Sequence, residues 1–121
     1  MKRNQNSEGS ALVEIIVHGM QEKKAANIVS LDLRQLKSRF ADFMVICHGG
    51  SDRQVEAIAD SVEDEVRKAL SEKPFHREGS DKSEWILLDY VNVVVHVFSE
   101  EKRSFYAIEE LWGDAEAKYF E

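Results

Sequence analysis

The run EWILLDYVNVVVHVF, residues 84–98, constrains the fold more than any other stretch of this chain. Its apolar residues are interrupted, after Glu84, only by Asp89, Asn92 and His96, and it reads as two antiparallel strands joined by a tight turn. With Tyr90 and Val91 at the centre of that turn, Asp89 opposes Asn92, Leu87 opposes Val94 and Trp85 opposes His96. Side chains alternate across a strand, so the hairpin sorts into two faces. One, with Ile86, Leu88, Val93, Val95 and Val97, is wholly aliphatic and belongs to a core. The other mixes Trp85, Leu87, Asp89, Asn92, Val94, His96 and Phe98. For His96 the ordinary reading is a core histidine with its hydrogen bonds satisfied, and for Asp89 a turn former. Trp85 on the same strand face as an acid is also the composition of a docking surface, where the ring supplies area and the carboxylate meets a basic partner.

The rest of the chain supplies covers and neighbours for that hairpin. Residues 1–9 are polar and read as a flexible tail. From Ser10, an N-cap residue, Leu12, Ile15, Ile16, Gly19 and Met20 recur at helical spacing to about Ala26. NIVSLDL, residues 27–33, alternates as a strand with Ile28, Ser30 and Asp32 on a wetter face. RQLKSRF is a polar connection. In ADFMVICHGG the apolar run from Phe43 to Cys47 reads as a central strand buried on both faces. Ser51 then caps a helix with Gln54 at capping-box spacing, and Val55, Ile58, Ala59, Val62, Val66, Ala69 and Leu70 form its inner stripe. KPFHREGSDKS carries the only proline and reads as a connection with one short edge strand at residues 75–77. After the hairpin, Ser99 with Glu100 and Glu101 opens a last helix bearing Phe105, Ile108, Leu111 and Trp112, ended by Gly113. The order predicts a single α/β domain over residues 10–115, a mixed β-sheet covered by helices, with residues 116–121 as a C-terminal tail.

Composition narrows the function. The chain has 121 residues, enough to bury roughly two-thirds of the surface of its unfolded form. Its 23 acidic and 16 basic side chains give a net charge of −7, which repels a phosphate backbone and suits a basic protein partner. Direct nucleic-acid binding is not expected. The single cysteine, Cys47, permits no internal disulfide and reads as a buried thiol in a reducing cytoplasm. No apolar run reaches the roughly 18 residues of a membrane span, and the polar start lacks the apolar core of a signal peptide.

Catalytic readings find little support in the spacing. VICHGGS before a helix offers a strand, a glycine turn and a helix N-terminus, a place where backbone amides hold anions, but the lysine of a P-loop is missing. Strand-GGS-helix also resembles the entry to the nucleotidyltransferase fold, whose enzymes place paired acids on nearby strands. Here Asp89 is followed two residues on by Val91 and Asp32 by Arg34, so two-metal chemistry lacks its ligands. His18, His48, His76 and His96 stand at no metal-ligand spacing, and Cys47 and His48 point to opposite strand faces. No catalytic residue, metal or cofactor is expected; the alternative is a nucleotide-binding or nucleotidyl-transferring enzyme built on the GGS turn.

SRFADFMVICHGGSDRQVEAIADSVED, then EG before EWILLDYVNVVVHVF, then EEKRSFYAIEELWGDA, resemble the bacterial ribosomal silencing factor family, also called Iojap-like, from about residue 10 to 115. The resemblance implies a nucleotidyltransferase-like fold without the catalytic acids. It implies binding to the large ribosomal subunit through its fourteenth ribosomal protein, a basic partner, on the face that meets the small subunit. Subunit joining is thereby prevented and translation lowered when nutrients are scarce. A homodimer off the ribosome is implied as well. Carried over by position, the family tryptophan falls on Trp85 and its strand-end aspartate on Asp89, with Leu88, Tyr90 and Arg53 as secondary contacts. The chain departs from the family at the turn, with Val91 and Asn92 where Gly and Asp are common.

Overall fold

A computed structural model describes residues 5–37, 40–79 and 84–120, with the side chains of residues 5–8 left aside. The chain orders as α1 (Gln5–Glu22), β1 (Ala26–Asp32), β2 (Phe43–Gly49), α2 (Asp52–Leu70), β3 (His76–Gly79), β4 (Trp85–Asp89), β5 (Val93–Ser99), α3 (Glu100–Tyr106), α4 (Ile108–Leu111) and β6 (Glu116–Phe120). The six strands form one mixed sheet in the order β3-β4-β5-β2-β1-β6. Only β2 and β5 run parallel, because α2 carries the chain back across the sheet between them; every other pair is antiparallel.

Each face of the sheet has its own apolar layer. On one, α1 and α2 bury Leu12, Ile16, Met20, Val55, Ile58 and Val62 against Val45, Ile86, Leu88, Val95 and Val97. The helices approach closely because Gly19 has no side chain. A Cβ there would lie 2.9 Å from the Val62 Cα, and Ser61 Oγ donates to the Gly19 carbonyl at 2.7 Å. On the other face Val29, Leu31, Leu33, Met44, Ile46 and Phe98 form a smaller layer under Leu36, Trp85, Ile108 and Trp112. The central strand β2 is buried from Phe43 to Gly49, as its apolar run requires.

The expected capping of α2 is present: Gln54 N donates to Ser51 Oγ at 3.1 Å. The Gln54 amide does more than close a capping box. Its oxygen accepts from Gly50 N at 2.6 Å and its nitrogen donates to the Lys23 and Lys24 carbonyls, both at 3.1 Å, which ties the start of α2 to the end of α1. Along the inner stripe, at the end of the helix, Leu70 is half-buried against the core and Ala69 is exposed.

Several expectations require correction. Helix α1 begins at Gln5 rather than Ser10 and ends at Glu22, so residues 5–9 are not a tail; residues 1–4 lie outside those described. Gly9 is buried against the Phe43 ring, which extends the helix–sheet contact to that point. Residues 116–120, expected as a C-terminal tail, form β6 on the free side of β1; residue 121 lies outside those described. The expected wetter face of β1 is mostly covered, because Ile28 packs into the helix-side core and Ser30 is only 7% exposed; Asp32 at the strand end stays half-buried. The last helix is broken in two at Ala107, which takes a left-handed φ of 45°. The break turns Ile108 and Trp112 onto the sheet and leaves Phe105 and Leu111 exposed. Residues 38–39 and 80–83 of the two expected connections lie outside those described.

Candidate functional site

The hairpin turns one residue later than expected. Trp85 opposes Phe98, Leu87 opposes His96 and Asp89 opposes Val94, with Val91 and Asn92 in the turn. Moving a turn centre by one residue moves every cross-strand partner by two, and a shift of two preserves the faces. Ile86, Leu88, Val93, Val95 and Val97 therefore remain together on the helix-covered face, and Trp85, Leu87, Asp89, Val94, His96 and Phe98 on the other.

The turn has no glycine and is held by side-chain and backbone bonds instead. Val91 takes φ 74°, an uncomfortable value for a β-branched residue, with Asn92 N bonded to the Tyr90 carbonyl at 3.0 Å. Asp89 Oδ1 accepts from Val91 N at 2.7 Å and so supports the strained residue. The Asn92 carbonyl accepts from Asp42 N at 2.8 Å and Phe43 N at 3.1 Å, which anchors the start of β2. Asn92 thus acts here through its backbone.

Trp85 is the centre of an aromatic cluster on the open sheet face. Its ring stacks on Phe98 at 5.1 Å between centroids and meets Tyr106 of α3 at 4.7 Å. His96, a diagonal neighbour across the hairpin, accepts the indole N–H on Nδ1 at 3.0 Å. That bond leaves the imidazole proton on Nε2 of a neutral ring. Burial pushes the His96 pKa down to about 4, so the ring stays uncharged at neutral pH. The indole is half-buried, held by three rings, and keeps part of its surface in solvent.

The residues expected to meet a partner do not form one patch. Trp85 and Asp89 share a face of β4 but stand at opposite ends of it, about 13 Å apart at about 3.3 Å per residue. Leu88 is fully buried in the helix-covered core and cannot touch a partner while the fold is intact. Tyr90 is 8% exposed on that same face, with its hydroxyl buried and unbonded within the protein, so it too leaves the contact surface. Arg53 is exposed on the first turn of α2, on the helix side of the sheet. Sequence spacing missed the residues that surround Trp85: Glu78 on β3, Glu84 just ahead of β4, and Lys102 and Tyr106 on α3.

Two other features bear on chemistry. The GGS turn lies in a depression lined by Asp52, Glu84, Glu100 and Glu101, where carboxylates repel a phosphate. The Gly50 amide of the turn is already bonded to the Gln54 side chain, and the Gln54 amide on the first turn of α2 to the Ser51 side chain. Nothing in this geometry favours the nucleotide-binding alternative. Cys47 is fully buried, and burial pushes its thiol up to about 12, far from a nucleophile's range. Asp32, the last residue of β1, is paired with Arg34 just beyond it and is separated from the Asp89 strand by β5 and β2, and among the described residues no three His, Cys, Asp or Glu side chains gather at a metal-binding spacing.

The Arg103 guanidinium on α3 is a hub that joins the helix break to the sheet. It donates to the Asn27 carbonyl at 2.6 Å, contacts His48 Nδ1 at 3.0 Å and pairs with Glu109 at 2.5 Å. It thereby holds α3 where Tyr106 can reach Trp85. His48 is also shifted down, by burial first and by the Arg103 charge second.

Known proteins share both sequence and fold with this chain. The family model described as ribosomal silencing factor during starvation matches residues 5–121, a span that takes in all of α1 and β6. The ribosomal silencing factor RsfS of Bacillus subtilis is 41% identical over 106 residues, 87% of each chain. That of Halalkalibacterium halodurans is 40% identical over 107 residues, 86% of this chain and 87% of the relative. A crystal structure of a Chromobacterium violaceum protein superposes with a TM-score of 0.80 at 33% identity, covering 86% of this chain and 85% of the other. With the sequence matched from the first turn of α1 to the last strand and the sheet superposed on a solved relative, the chain belongs to the ribosomal silencing factor family.

Proposed function

We propose that this protein binds the large ribosomal subunit through its fourteenth ribosomal protein and blocks the joining of the small subunit by occupying the shared face. Translation falls as a result, most of all under nutrient limitation. The observation that carries this reading is Trp85: a tryptophan held rigid by Phe98, His96 and Tyr106, with part of its ring in solvent. A pre-ordered aromatic loses little entropy on docking, which is the character of an interface hot spot. The net charge of −7 complements a basic ribosomal protein and steers the encounter. Membership of the ribosomal silencing factor family supports a ribosomal partner.

In this reading Trp85 packs against the partner and Asp89, at the other end of the strand, adds a charge contact. Arg53 is a peripheral contact at most, since it stands on the opposite side of the sheet. No chemistry and no cofactor are involved. The protein works in the cytoplasm, in keeping with the buried reduced thiol of Cys47, and pairs as a homodimer when off the ribosome. Exposed Phe105, Leu111 and Tyr119 supply apolar surface for such pairing.

Sucrose-gradient profiles of ribosomal subunits with and without added protein test the reading. Fewer joined ribosomes are the required result. Co-sedimentation with isolated large subunits should weaken for Trp85→Ala, and for Asp89→Asn, which removes the charge but keeps the oxygen that supports Val91. Unchanged co-sedimentation of both variants refutes the surface. Light scattering of the free protein reads the dimer.

A further inference from the structure

Among the described residues, Trp85, Leu87 and Tyr106 wall an open cleft of about 310 Å³ between the start of β4 and α3, with Glu78 and Glu84 on its rim. Lys102 closes the rim from α3. Its Nζ lies 3.9 Å from Glu84 Oε2 and 5.2 Å from the centre of the Phe105 ring. Two aromatic walls with carboxylates at the mouth suit a guest that has an apolar stem and a cationic head, which describes a basic side chain. Arginine fits better than lysine, because its planar guanidinium stacks on an indole and forks onto a carboxylate. Lys102 is an internal instance of that chemistry, with its head already placed between a carboxylate and an aromatic ring.

Resting on the docking reading above, we propose that this cleft receives an arginine side chain of the ribosomal partner, with Glu78 and Glu84 rather than Asp89 as its counter-charges. Asp89 stands about 13 Å along the strand, at about 3.3 Å per residue, and its Oδ1 already accepts from Val91. The guest competes with Lys102 for Glu84. Lys102 thereby limits the affinity of the cleft and raises its selectivity for a cation able to bind the carboxylate with two parallel bonds.

Two measurements separate the cleft from the docking reading. The first titrates N-acetyl-arginine amide into the Trp112→Phe variant, in which Trp85 is the only tryptophan, and follows its emission, with N-acetyl-citrulline amide as the neutral control. Saturable binding of the arginine amide, about threefold or more tighter than the citrulline amide, is expected. The Glu78→Gln/Glu84→Gln double variant should lose this preference, and Lys102→Met should strengthen it. The second measures co-sedimentation with large subunits, where the double variant should weaken binding by about three- to tenfold and Lys102→Met should tighten it. Circular dichroism melts check that each variant folds. Equal response to the two amides, with the double variant sedimenting as wild type, overturns the cleft even if Trp85→Ala abolishes binding and the docking reading stands. Discrimination between the amides, with no effect of Trp85→Ala or the double variant on co-sedimentation, overturns the ribosomal guest and the docking reading together.

Discussion

His96 makes the stability of this protein depend on pH in a way that can be worked out and measured. The side chain is 5% exposed, faces Phe98 at 5.8 Å and accepts the Trp85 indole proton on Nδ1. Burial lowers its pKa from 6.5 to about 4 in the folded state. As pH falls the unfolded chain therefore takes up a proton first, and the folded chain resists. The contribution of the neutral ring is complete above pH 6.5 and is lost progressively between 6.5 and about 4. At about 1.4 kcal/mol per pKa unit, the full difference is about 3 kcal/mol, and most of it is lost by about pH 4.5. That is a large part of a domain's usual stability, about 5–15 kcal/mol. Urea denaturation followed by far-ultraviolet circular dichroism, at about pH 7.5 and pH 4.5, gives the loss for wild type and for His96→Gln. Every other ionisable group is common to the two proteins, so the difference between the two losses isolates His96. Wild type should lose about 2–3 kcal/mol more than the variant. Equal losses would refute the buried, neutral ring. Protonation of the folded protein, centred near pH 4, also removes the acceptor for the indole N–H, so Trp85 emission should change around that pH before global unfolding.

Val91→Gly should raise the melting temperature, because glycine takes φ 74° without strain; the gain of about 1–3 kcal/mol is reduced by the greater freedom of glycine in the unfolded chain. A melt no higher than wild type would show that the turn is relaxed. Gly19→Val should cost about 1–3 kcal/mol in urea titrations, since a Cβ there meets the α2 backbone at 2.9 Å rather than a yielding side chain. Leu88→Ala should cost about 2–5 kcal/mol of stability as a core cavity, yet leave the affinity of the folded molecules for large subunits unchanged; a selective loss of affinity would return Leu88 to the contact surface.

Much of the scaffold was legible in the sequence for specific reasons. The continuous apolar run of β2 could be satisfied only by burial on both faces, and the Ser51–Gln54 spacing located the start of α2 within a residue. The two ends of the domain were not legible. Glu116–Phe120 is polar enough to read as a tail and becomes a strand because β1 offers it an unpaired edge. The last helix carries helical spacing throughout, but local periodicity does not reveal a break at Ala107 that Arg103 spans by binding Glu109 and the Asn27 carbonyl. At the candidate site strand alternation alone sets Leu88 on the aliphatic core face of the hairpin, away from Trp85, whereas the burial of Tyr90 beside it follows from the helix that covers that face.

The sequence by itself determined which residues share a face of the hairpin. That property has a period of two, and it survives a turn centre displaced by one residue, because the partners then move by two. It also determined the acidic balance and the absence of a second acid on the strands of Asp32 and Asp89. Only the tertiary structure decided which charges stand beside Trp85. Glu78, Lys102 and Tyr106 arrive from β3 and α3, elements that sheet order and the Arg103 anchor bring beside β4, and neither is encoded in local spacing. Asp89, close in sequence and on the same face, lies at the far end of the strand because an extended chain advances about 3.3 Å with each residue.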